Sequence, residues 1–256
     1  MQTLASWNVN SIRTRLDHLR DWLIDFGPDV LGVQETKVQD QDFPYDDFFD
    51  TGYHISVAGQ KTYNGVAVFS RKRPGEVHTD IPGLDDPQRR VLGVDFGDYY
   101  FLNLYVPNGS EVGSEKYAYK LRWLSALHSW LKELKSSHER VVVVGDFNIA
   151  PTDDDVHDAD KWRDKILCSR DERDALNGIL DLGFVDTFRL FEQEPAAFSW
   201  WDYRQGSFRR NAGLRIDLVL ASDSLQPLCT AAGIAKEPRE REKPSDHAPV
   251  FARFDL

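Results

Sequence analysis

The sequence has few cysteines and no long apolar segment. Its 256 residues include two cysteines, Cys168 and Cys229, whose separation fits no metal-binding or redox motif. We therefore expect two reduced thiols in a cytoplasmic protein and no zinc site. No apolar run approaches the ~20 residues that span a bilayer, and the first residues show no basic segment followed by an apolar stretch. These absences predict a protein with no signal peptide and no membrane partner.

The sequence also lacks the excess of basic residues that is typical of nucleic-acid-binding proteins. Its formal net charge is −11, whereas phosphate binding is driven by Lys and Arg side chains that release counterions. The basic residues are nevertheless concentrated in segments 13–15, 71–73, 89–90, 204–215 and 239–243. Because a charge cluster is usually only a solvated surface, composition alone does not distinguish a locally basic groove from a protein that binds no nucleic acid.

The chain contains no repeat, low-complexity segment or Gly/Ser linker, and we expect one domain over residues 1–256. Nine short segments rich in Val, Leu, Ile and aromatic residues predict strands, at 4–8, 30–34, 54–58, 66–70, 91–96, 100–106, 141–145, 216–221 and 250–254. Leucine periodicities predict helices at 16–26 and 121–134, and Ser169 with Glu172 predicts the capping box of a third. This excess of strands predicts two packed β-sheets with helices on their outer faces.

Polar residues capable of catalysis occur where the predicted strands end or begin. Six of them follow the end of a strand: Asn8, Glu35, Tyr105, Asn108, Asp146 and Asn148. Three others stand at or before the start of a strand: Asp217, Asp246 and His247. Because the start of an antiparallel strand lies beside the end of its neighbour, we expect all nine to meet at one edge, where active sites of α/β proteins usually lie.

The chemistry of these nine residues indicates a metal-dependent hydrolase. Carboxylate and amide oxygens suit a hard cation, Mg²⁺ or Mn²⁺, and a His beside an Asp, with a second Asp available, resembles an oriented acid–base unit. Each residue also has an ordinary explanation, since the Asp-Phe-Asn segment at 146–148 could be a simple turn. Their joint placement favours the active site over separate structural roles.

Several motifs resemble those of the exonuclease III and abasic-site endonuclease family, in the same order along the chain. They are Gln-Glu-Thr-Lys at 34–37, Gly-Asp-Phe-Asn at 145–148, Gly-Leu-Arg-Ile-Asp at 213–217 and Ser-Asp-His-Ala-Pro at 245–249. Gln-Arg-Arg at 88–90 and Phe-Ser-Trp-Trp-Asp-Tyr-Arg at 198–204 resemble the DNA-repair branch of the wider endonuclease/exonuclease/phosphatase superfamily. The resemblance covers essentially the whole chain. It implies a four-layered α/β sandwich of the DNase I-like type, with two mixed β-sheets flanked by helices.

The resemblance also implies roles for individual residues. Metal ligands would come from Asn8, Glu35, Asp146, Asn148, Asp246 and His247. The implied catalytic set is Tyr105, Asp146, Asn148, Asp217, Asp246 and His247. Within it, Asp146 would direct the attacking water and Asp217 would orient His247. Contacts to DNA phosphates are expected from Asn108, Arg13, Arg89, Arg90 and Arg215, and a pocket for a base-less sugar from Trp200, Leu214 and Ile216.

The implied function is Mg²⁺- or Mn²⁺-dependent hydrolysis of the DNA phosphodiester 5′ to abasic sites, with 3′-to-5′ exonuclease and 3′-phosphatase or 3′-phosphodiesterase activity. The partner would be double-stranded DNA with abasic sites or 3′ ends, and the protein a monomer. Two alternatives are another superfamily enzyme, such as a non-specific nuclease or an inositol-phosphate phosphatase, and a non-catalytic DNA-binding module. The repair-type motifs argue against the first alternative. The complete acid, amide and His set argues against the second.

Overall fold

Twelve β-strands form two six-stranded sheets in the computed structural model, which describes residues 1–256. In chain order the strands are β1 (Gln2–Asn8), β2 (Val30–Gln34), β3 (His54–Ala58), β4 (Val66–Ser70), β5 (Val77–His78), β6 (Val91–Asp95), β7 (Tyr100–Tyr105), β8 (Val141–Asp146), β9 (Phe184–Asp186), β10 (Asp217–Ser222), β11 (Cys229–Ile234) and β12 (Val250–Phe254). The first sheet has the order β11-β12-β1-β2-β4-β3 and the second the order β5-β6-β7-β8-β10-β9.

Each sheet is mixed, with one parallel pair among antiparallel ones. The parallel pairs are β1 with β2 and β7 with β8. Strand β1 lies between β2 and β12, so the two ends of the sequence meet in the middle of the first sheet. Ser245 reinforces this join, because its hydroxyl donates to the carbonyl oxygen of Asn8 at 2.6 Å. The Trp7 indole N–H donates to the carbonyl oxygen of His247 at 3.2 Å.

Three longer α-helices cover the outer faces of the sheets: α1 (Leu16–Asp25), α2 (Glu115–Ser137) and α4 (Arg170–Leu180). A short helix, α3 (Ala159–Trp162), lies between β8 and α4 in the chain. The predicted capping box starts α4, where the Glu172 carboxylate accepts from the Ser169 backbone N–H at 3.0 Å and the Ser169 hydroxyl accepts from the Glu172 N–H. The three longer helices match the predicted periodic segments. No helix combines the length and the apolar character that crossing a membrane requires.

The central strands of both sheets are buried on two faces. In β8, Val142 and Val144 pack between the sheets, whereas Val141 and Val143 pack on the other side against α2 and α4. Helix α1 packs against the outer face of the first sheet through residues such as Leu19. The layers are therefore α1, first sheet, second sheet, and α2 with α4. This confirms the four-layered α/β sandwich expected from the sequence.

A buried polar bridge joins the two sheets just below the edge where β2 and β7 end. The Gln34 side-chain amide donates to Ser6 Oγ at 2.9 Å and to Asn103 Oδ1 at 2.6 Å, and Asn103 donates to two carbonyl oxygens of the first sheet. Gly32 allows this approach, because a Cβ atom there would lie 2.7 Å from Asn103 Oδ1. The bridge fixes the strand ends that carry Glu35 and Tyr105.

Candidate active site

The polar strand ends meet at one edge that both sheets share. In the first sheet, Asn8 pairs with Gln34, so Glu35 follows directly beside it. In the second sheet, Asp146 pairs with Tyr105 on one side and with Asp217 on the other. The register of the strands therefore brings the residues together as the sequence pattern predicted.

Asn8 links the two sheets at this edge. It is fully buried, and its side-chain N–H groups donate to Glu35 Oε1 and to Asp146 Oδ2, each at 2.9 Å. Its Oδ1 accepts from the Asn10 backbone N–H at 2.9 Å. Asn8 thus holds one carboxylate from each sheet in a fixed position.

Glu35, Asp146 and His247 each present a ligand atom within 4.8 Å of the other two. Glu35 has a left-handed backbone (φ 54°) and pairs with Lys37 Nζ at 2.9 Å. Burial raises the pKa of Asp146; His247 opposes this, and Asp217 and Glu35 raise the pKa further. Crowded carboxylates of this kind fit a hard divalent cation, because the cation would relieve their repulsion.

The His247 imidazole is buried and oriented by Asp217. Its Nδ1 lies 2.9 Å from Asp217 Oδ2, and its Nε2 lies 3.7 Å from Asp146 Oδ2. Ser199 holds Asp217 in turn by donating its hydroxyl to Oδ2 at 2.7 Å. Burial alone would lower the pKa of His247, but Asp217 and Asp146 raise it to about 10. Because Asp217 holds Nδ1, the Nε2 atom faces the site on the side of Asp146.

The side-chain amides of Asn108 and Asn148 lie next to Asp146, in the turns that follow β7 and β8. The Asn108 side-chain N–H donates to Asn148 Oδ1 at 3.0 Å, and the Asn148 side-chain N–H donates to the Val106 carbonyl oxygen at 3.1 Å. The Asn148 backbone N–H donates to Asp146 Oδ1 at 2.9 Å. Asn148 is left-handed (φ 50°), a conformation that Asn tolerates better than most residues. The turn after β8 thus fixes both amides next to the carboxylate.

Tyr105 completes this side of the site. Burial raises the pKa of Tyr105 well above its ordinary value, and Glu35 and Asp146 raise it further, so the phenol is a neutral hydrogen-bond donor. The Arg90 guanidinium lies over its ring, 4.7 Å from the centroid. Arg90 also lines a cavity of about 460 Å³ that includes Asn108. The positive charge of Arg90 therefore lies near the Asn108 amide.

Asp246 lies outside the cluster of Glu35, Asp146 and His247. Its Oδ1 accepts from the Asn10 side-chain N–H at 2.9 Å, and its Oδ2 accepts from the Trp200 indole N–H at 3.1 Å. Burial would raise the pKa of Asp246, but His247, Trp200 and Asn10 lower it below the ordinary value. Asp246 is therefore a carboxylate at the rim, tied to Asn8 through Asn10.

The four arginines expected to meet phosphates have different surroundings. Arg13 is exposed and donates to the Asp42 carbonyl oxygen at 3.3 Å. Arg89 is half-exposed and pairs with Asp80 at 2.8 Å. Arg13 and Arg89 are thus accessible to a ligand, whereas Arg90 is only 9% exposed and can meet one only through the cavity that it lines.

Arg215 is different, and its expected contact with DNA is wrong. It is 1% exposed and pairs with Asp155 at 2.6 Å and with Asp186 at 2.7 Å. Its guanidinium also lies over the Phe188 ring at 4.7 Å. Both carboxylates neutralise the charge inside the protein, so Arg215 holds loops together instead of binding a ligand.

Of the three residues expected to form a pocket for a base-less sugar, two are buried and one is accessible. Leu214 and Ile216 are buried in an apolar cluster with Leu167 and Cys168, so they support the site from below and do not line an open pocket. Trp200 packs on this cluster and lines a cleft of about 520 Å³. The cleft also contains Trp162 and the cationic side chains Lys161, Arg204 and Arg210. Of the three, only Trp200 therefore faces open space.

Sequence reasoning missed several residues that lie at this edge. Asn10 and Lys37 contact Asp246 and Glu35 directly. Each stands two residues beyond a predicted site residue, Asn10 after Asn8 and Lys37 after Glu35, and this proximity was a usable signal. Tyr63 is 69% exposed and lines the cavity next to Asn108. It lies in an irregular loop, where no periodicity marks it.

The sequence matches a family model and curated relatives over nearly its full length. The model described as the endonuclease/exonuclease/phosphatase family matches residues 5–247. The exodeoxyribonuclease III of Haemophilus influenzae is 36% identical over 264 residues, which cover 97% of this chain and 98% of that protein. The exodeoxyribonuclease of Bacillus subtilis is 35% identical over 255 residues, which cover 96% and 97%.

Solved structures share the fold of this chain over its whole length. A 3′ phosphatase from Neisseria, NExo, bound to a product DNA hairpin, has a TM-score of 0.98 and 41% identity over 100% of both chains. An AP endonuclease from Archaeoglobus fulgidus has a TM-score of 0.95 and 39% identity, also over 100% of both chains. The proteins that match this chain are thus named as an exodeoxyribonuclease, a 3′ phosphatase and an AP endonuclease.

Proposed function

This chain belongs to the endonuclease/exonuclease/phosphatase family, and we propose that it is a DNA repair nuclease that hydrolyses phosphodiester bonds at abasic sites and 3′ ends. The observation that carries the proposal is the set of hydrogen bonds joining Glu35, Asn8 and Asp146 beside the His247–Asp217 pair. The relatives named for exonuclease, 3′-phosphatase and AP-endonuclease action support the choice of DNA as substrate. We also propose that residues 1–256 act as one domain, because β1 and β12 pair in one sheet.

Glu35 and Asp146, with Asn8 and Asp246 nearby, would hold a divalent cation, for which we propose Mg²⁺ or Mn²⁺. When bound, the cation offsets charge on the phosphate and on the leaving oxygen. His247 lies close enough to be a ligand, but we assign it to the phosphate. Asp217 holds its Nδ1 at 2.9 Å, so its Nε2–H would donate to a phosphate oxygen.

The remaining groups position the substrate and the water. Asp146 has a raised pKa and is suited to aim the attacking water and take its proton. The Asn108 and Asn148 amides and the neutral Tyr105 hydroxyl supply donors to the phosphate, where negative charge grows in the transition state. All these groups are held in place before substrate arrives.

The product ends of three substrates test this proposal. An abasic duplex should be cut on the 5′ side of the abasic sugar, and an intact duplex with a recessed 3′ end should be shortened from that end. Inositol phosphates should release no phosphate, which separates this enzyme from a phosphatase of the same family. Hydrolysis of inositol phosphate without cleavage of either DNA would overturn the assignment.

Removal of the metal should abolish activity. Excess chelator should stop cleavage of abasic duplex, and Mg²⁺ or Mn²⁺ should restore it. Glu35→Gln should raise the Mg²⁺ concentration for half-maximal rate by more than about tenfold, since even groups that only orient metal ligands contribute this much. The control is Glu133→Gln, which removes an exposed carboxylate near the C-terminal end of α2. Cleavage at the full rate in excess chelator would contradict the mechanism.

DNA binding should depend steeply on salt despite the net charge of −11. Each phosphate that the protein neutralises contributes about −0.9 to the slope of log affinity against log salt concentration. Arg90→Gln should flatten this slope by about one unit, because Arg90 lines the cavity beside Asn108. Arg253→Gln should leave it unchanged, since Arg253 pairs with Thr3 near the opposite end of β1 from Asn8. Equal slopes for Arg90→Gln and the wild type would mean that Arg90 does not meet a phosphate.

Trp200→Ala should reduce the preference for abasic sites. Loss of the indole enlarges the cleft, and a pocket contact of this size changes discrimination by about tenfold. The ratio of abasic cleavage to 3′ exonuclease rates should therefore fall. Trp200→Phe keeps an aromatic wall but loses the N–H bond to Asp246. A fall with Ala alone supports recognition by shape, a fall with both variants points to Asp246, and unchanged ratios place Trp200 in the core.

A further inference from the structure

A lysine is buried beneath the two active-site asparagines. Lys120, in α2, is 0% exposed. Its Nζ donates to the carbonyl oxygens of Asn148, at 2.7 Å, and Asn108, at 3.3 Å, and to the carboxylate of Glu172. An ammonium group has three donors, and each has an acceptor here. Nothing in the helical pattern of α2 requires a cation at this position.

Glu172 anchors the lysine from the other side. It is also 0% exposed, and its carboxylate accepts from the Leu167 backbone N–H at 3.1 Å, the Ser169 backbone N–H at 3.0 Å and the Ser169 hydroxyl at 2.6 Å. The N-terminus of α4 is therefore connected through Glu172 and Lys120 to the turns after β7 and β8. A buried ion pair is costly unless the other donors and acceptors of both side chains are also hydrogen-bonded. Here the other hydrogen-bonding groups of Lys120 and Glu172 have such partners.

The carbonyl groups that Lys120 contacts belong to the residues whose side chains face the substrate. Asn108 and Asn148 bond to each other at 3.0 Å, and Asn148 has a left-handed backbone. Fixing both carbonyl oxygens fixes the direction in which both amides point. Gly109, which follows Asn108, lets the lysine stem pack closely, since a Cβ atom there would lie 3.2 Å from Lys120 Cδ.

We infer that Lys120 and Glu172 are a positioning pair for the phosphate-binding amides of Asn108 and Asn148. This inference rests on the proposed function. The pair touches no reacting atom. It acts by holding the backbone of both asparagines, so its loss should weaken transition-state binding more than ground-state binding.

The test separates positioning from folding with two variants. Lys120→Met keeps the length of the stem and removes the three donors, and it should lower kcat for abasic duplex by about a hundredfold, as a shift of about 1 Å in catalytic groups does. KM should change by less than about threefold. Lys120→Met/Glu172→Gln removes both charges and should regain thermal stability. Its kcat should stay low, because the two carbonyl oxygens still lack a donor. Recovery of kcat together with stability would overturn the inference.

Lys135 provides a matched control in the same helix. Its Nζ also donates to two carbonyl oxygens and one carboxylate: Leu182, Gly183 and Asp223. It lies 15 residues further along α2, roughly 22 Å from Lys120 at the rise of an α-helix. Lys135→Met should lower stability and leave kcat unchanged. A loss of kcat equal to that of Lys120→Met would overturn the inference.

A spectroscopic readout keeps the inference independent of activity. The side-chain NH₂ signals of Asn108 and Asn148 in ¹⁵N spectra should shift or broaden in Lys120→Met and stay in place in Lys135→Met. Unchanged signals in both variants contradict the inference even if the wild type cleaves DNA. A wild type that cleaves no DNA contradicts the proposed function, while the spectra still report whether the pair orients the amides.

Discussion

Replacing Asp146 by asparagine should lower kcat on abasic duplex by about three orders of magnitude, within the range of general acid–base catalysis. Asparagine has the same shape and can still accept from the Asn148 N–H, but it cannot take a proton from water. DNA affinity should change by less than about threefold, because the lost interaction exists only in the transition state. Single-turnover rates with enzyme in excess, together with equilibrium binding, measure both quantities.

Two comparisons make this result specific. Asp95→Asn changes another aspartate at the end of a strand, in β6, and should leave kcat within about twofold because it lies away from the site. Asp146→Asn should also be assayed at rising Mg²⁺ concentration. If high Mg²⁺ restores kcat, Asp146 serves mainly as a metal ligand, and its assignment as the group that activates water is wrong.

His247→Ala and Asp217→Ala should each lower kcat by about two to three orders of magnitude, as expected for loss of a donor to a growing negative charge. The double variant should be scarcely slower than His247→Ala, because Asp217 acts through the ring that it holds at 2.9 Å. Contacting residues in one network show such coupling, whereas independent sites add. A double variant whose loss is the product of the two single losses would refute the pairing.

The pH profile of Asp217→Asn gives a second measure of that pair. Asp217 raises the pKa of His247, so removal of its charge should lower that pKa. As pH rises, the variant would then lose the His247 proton at a lower pH than the wild type does. The fall of kcat at high pH should therefore move toward neutral pH. A high-pH limb at its wild-type position would mean that the charge of Asp217 does not set the protonation of His247.

The sequence was informative where function depends on strand ends. Alternation and β-branched runs locate the ends of β1, β2, β7 and β8, and the residues directly after them are the ones that meet. Strands β5 and β9, of two and three residues, are too short for a pattern. Strand β11, Cys-Thr-Ala-Ala-Gly-Ile, is weakly apolar and becomes a strand by pairing with β12.

Ion pairs between residues far apart in the chain could not be predicted from the sequence. Arg215 looked like one of several surface arginines, but its partner Asp155 lies 60 residues away. No sequence pattern marked Lys120 as buried, yet Glu172, 52 residues later, accepts from it in the interior. Leu214 is buried in a cluster with Leu167 and Cys168, in a segment where Leu167 has φ 72°. Such burial depends on tertiary contacts that no local pattern encodes.

The pairing of β1 with β12 also has a consequence during synthesis on the ribosome. Asn8 is synthesised 239 residues before His247, yet the site needs both. Domains are completed from the N-terminus as synthesis proceeds, so a nascent chain of this protein has no assembled hydrolytic centre until β12 leaves the exit tunnel. A nuclease arranged in this way stays inert toward nearby nucleic acid while it is being made, and fragments from interrupted translation remain inactive.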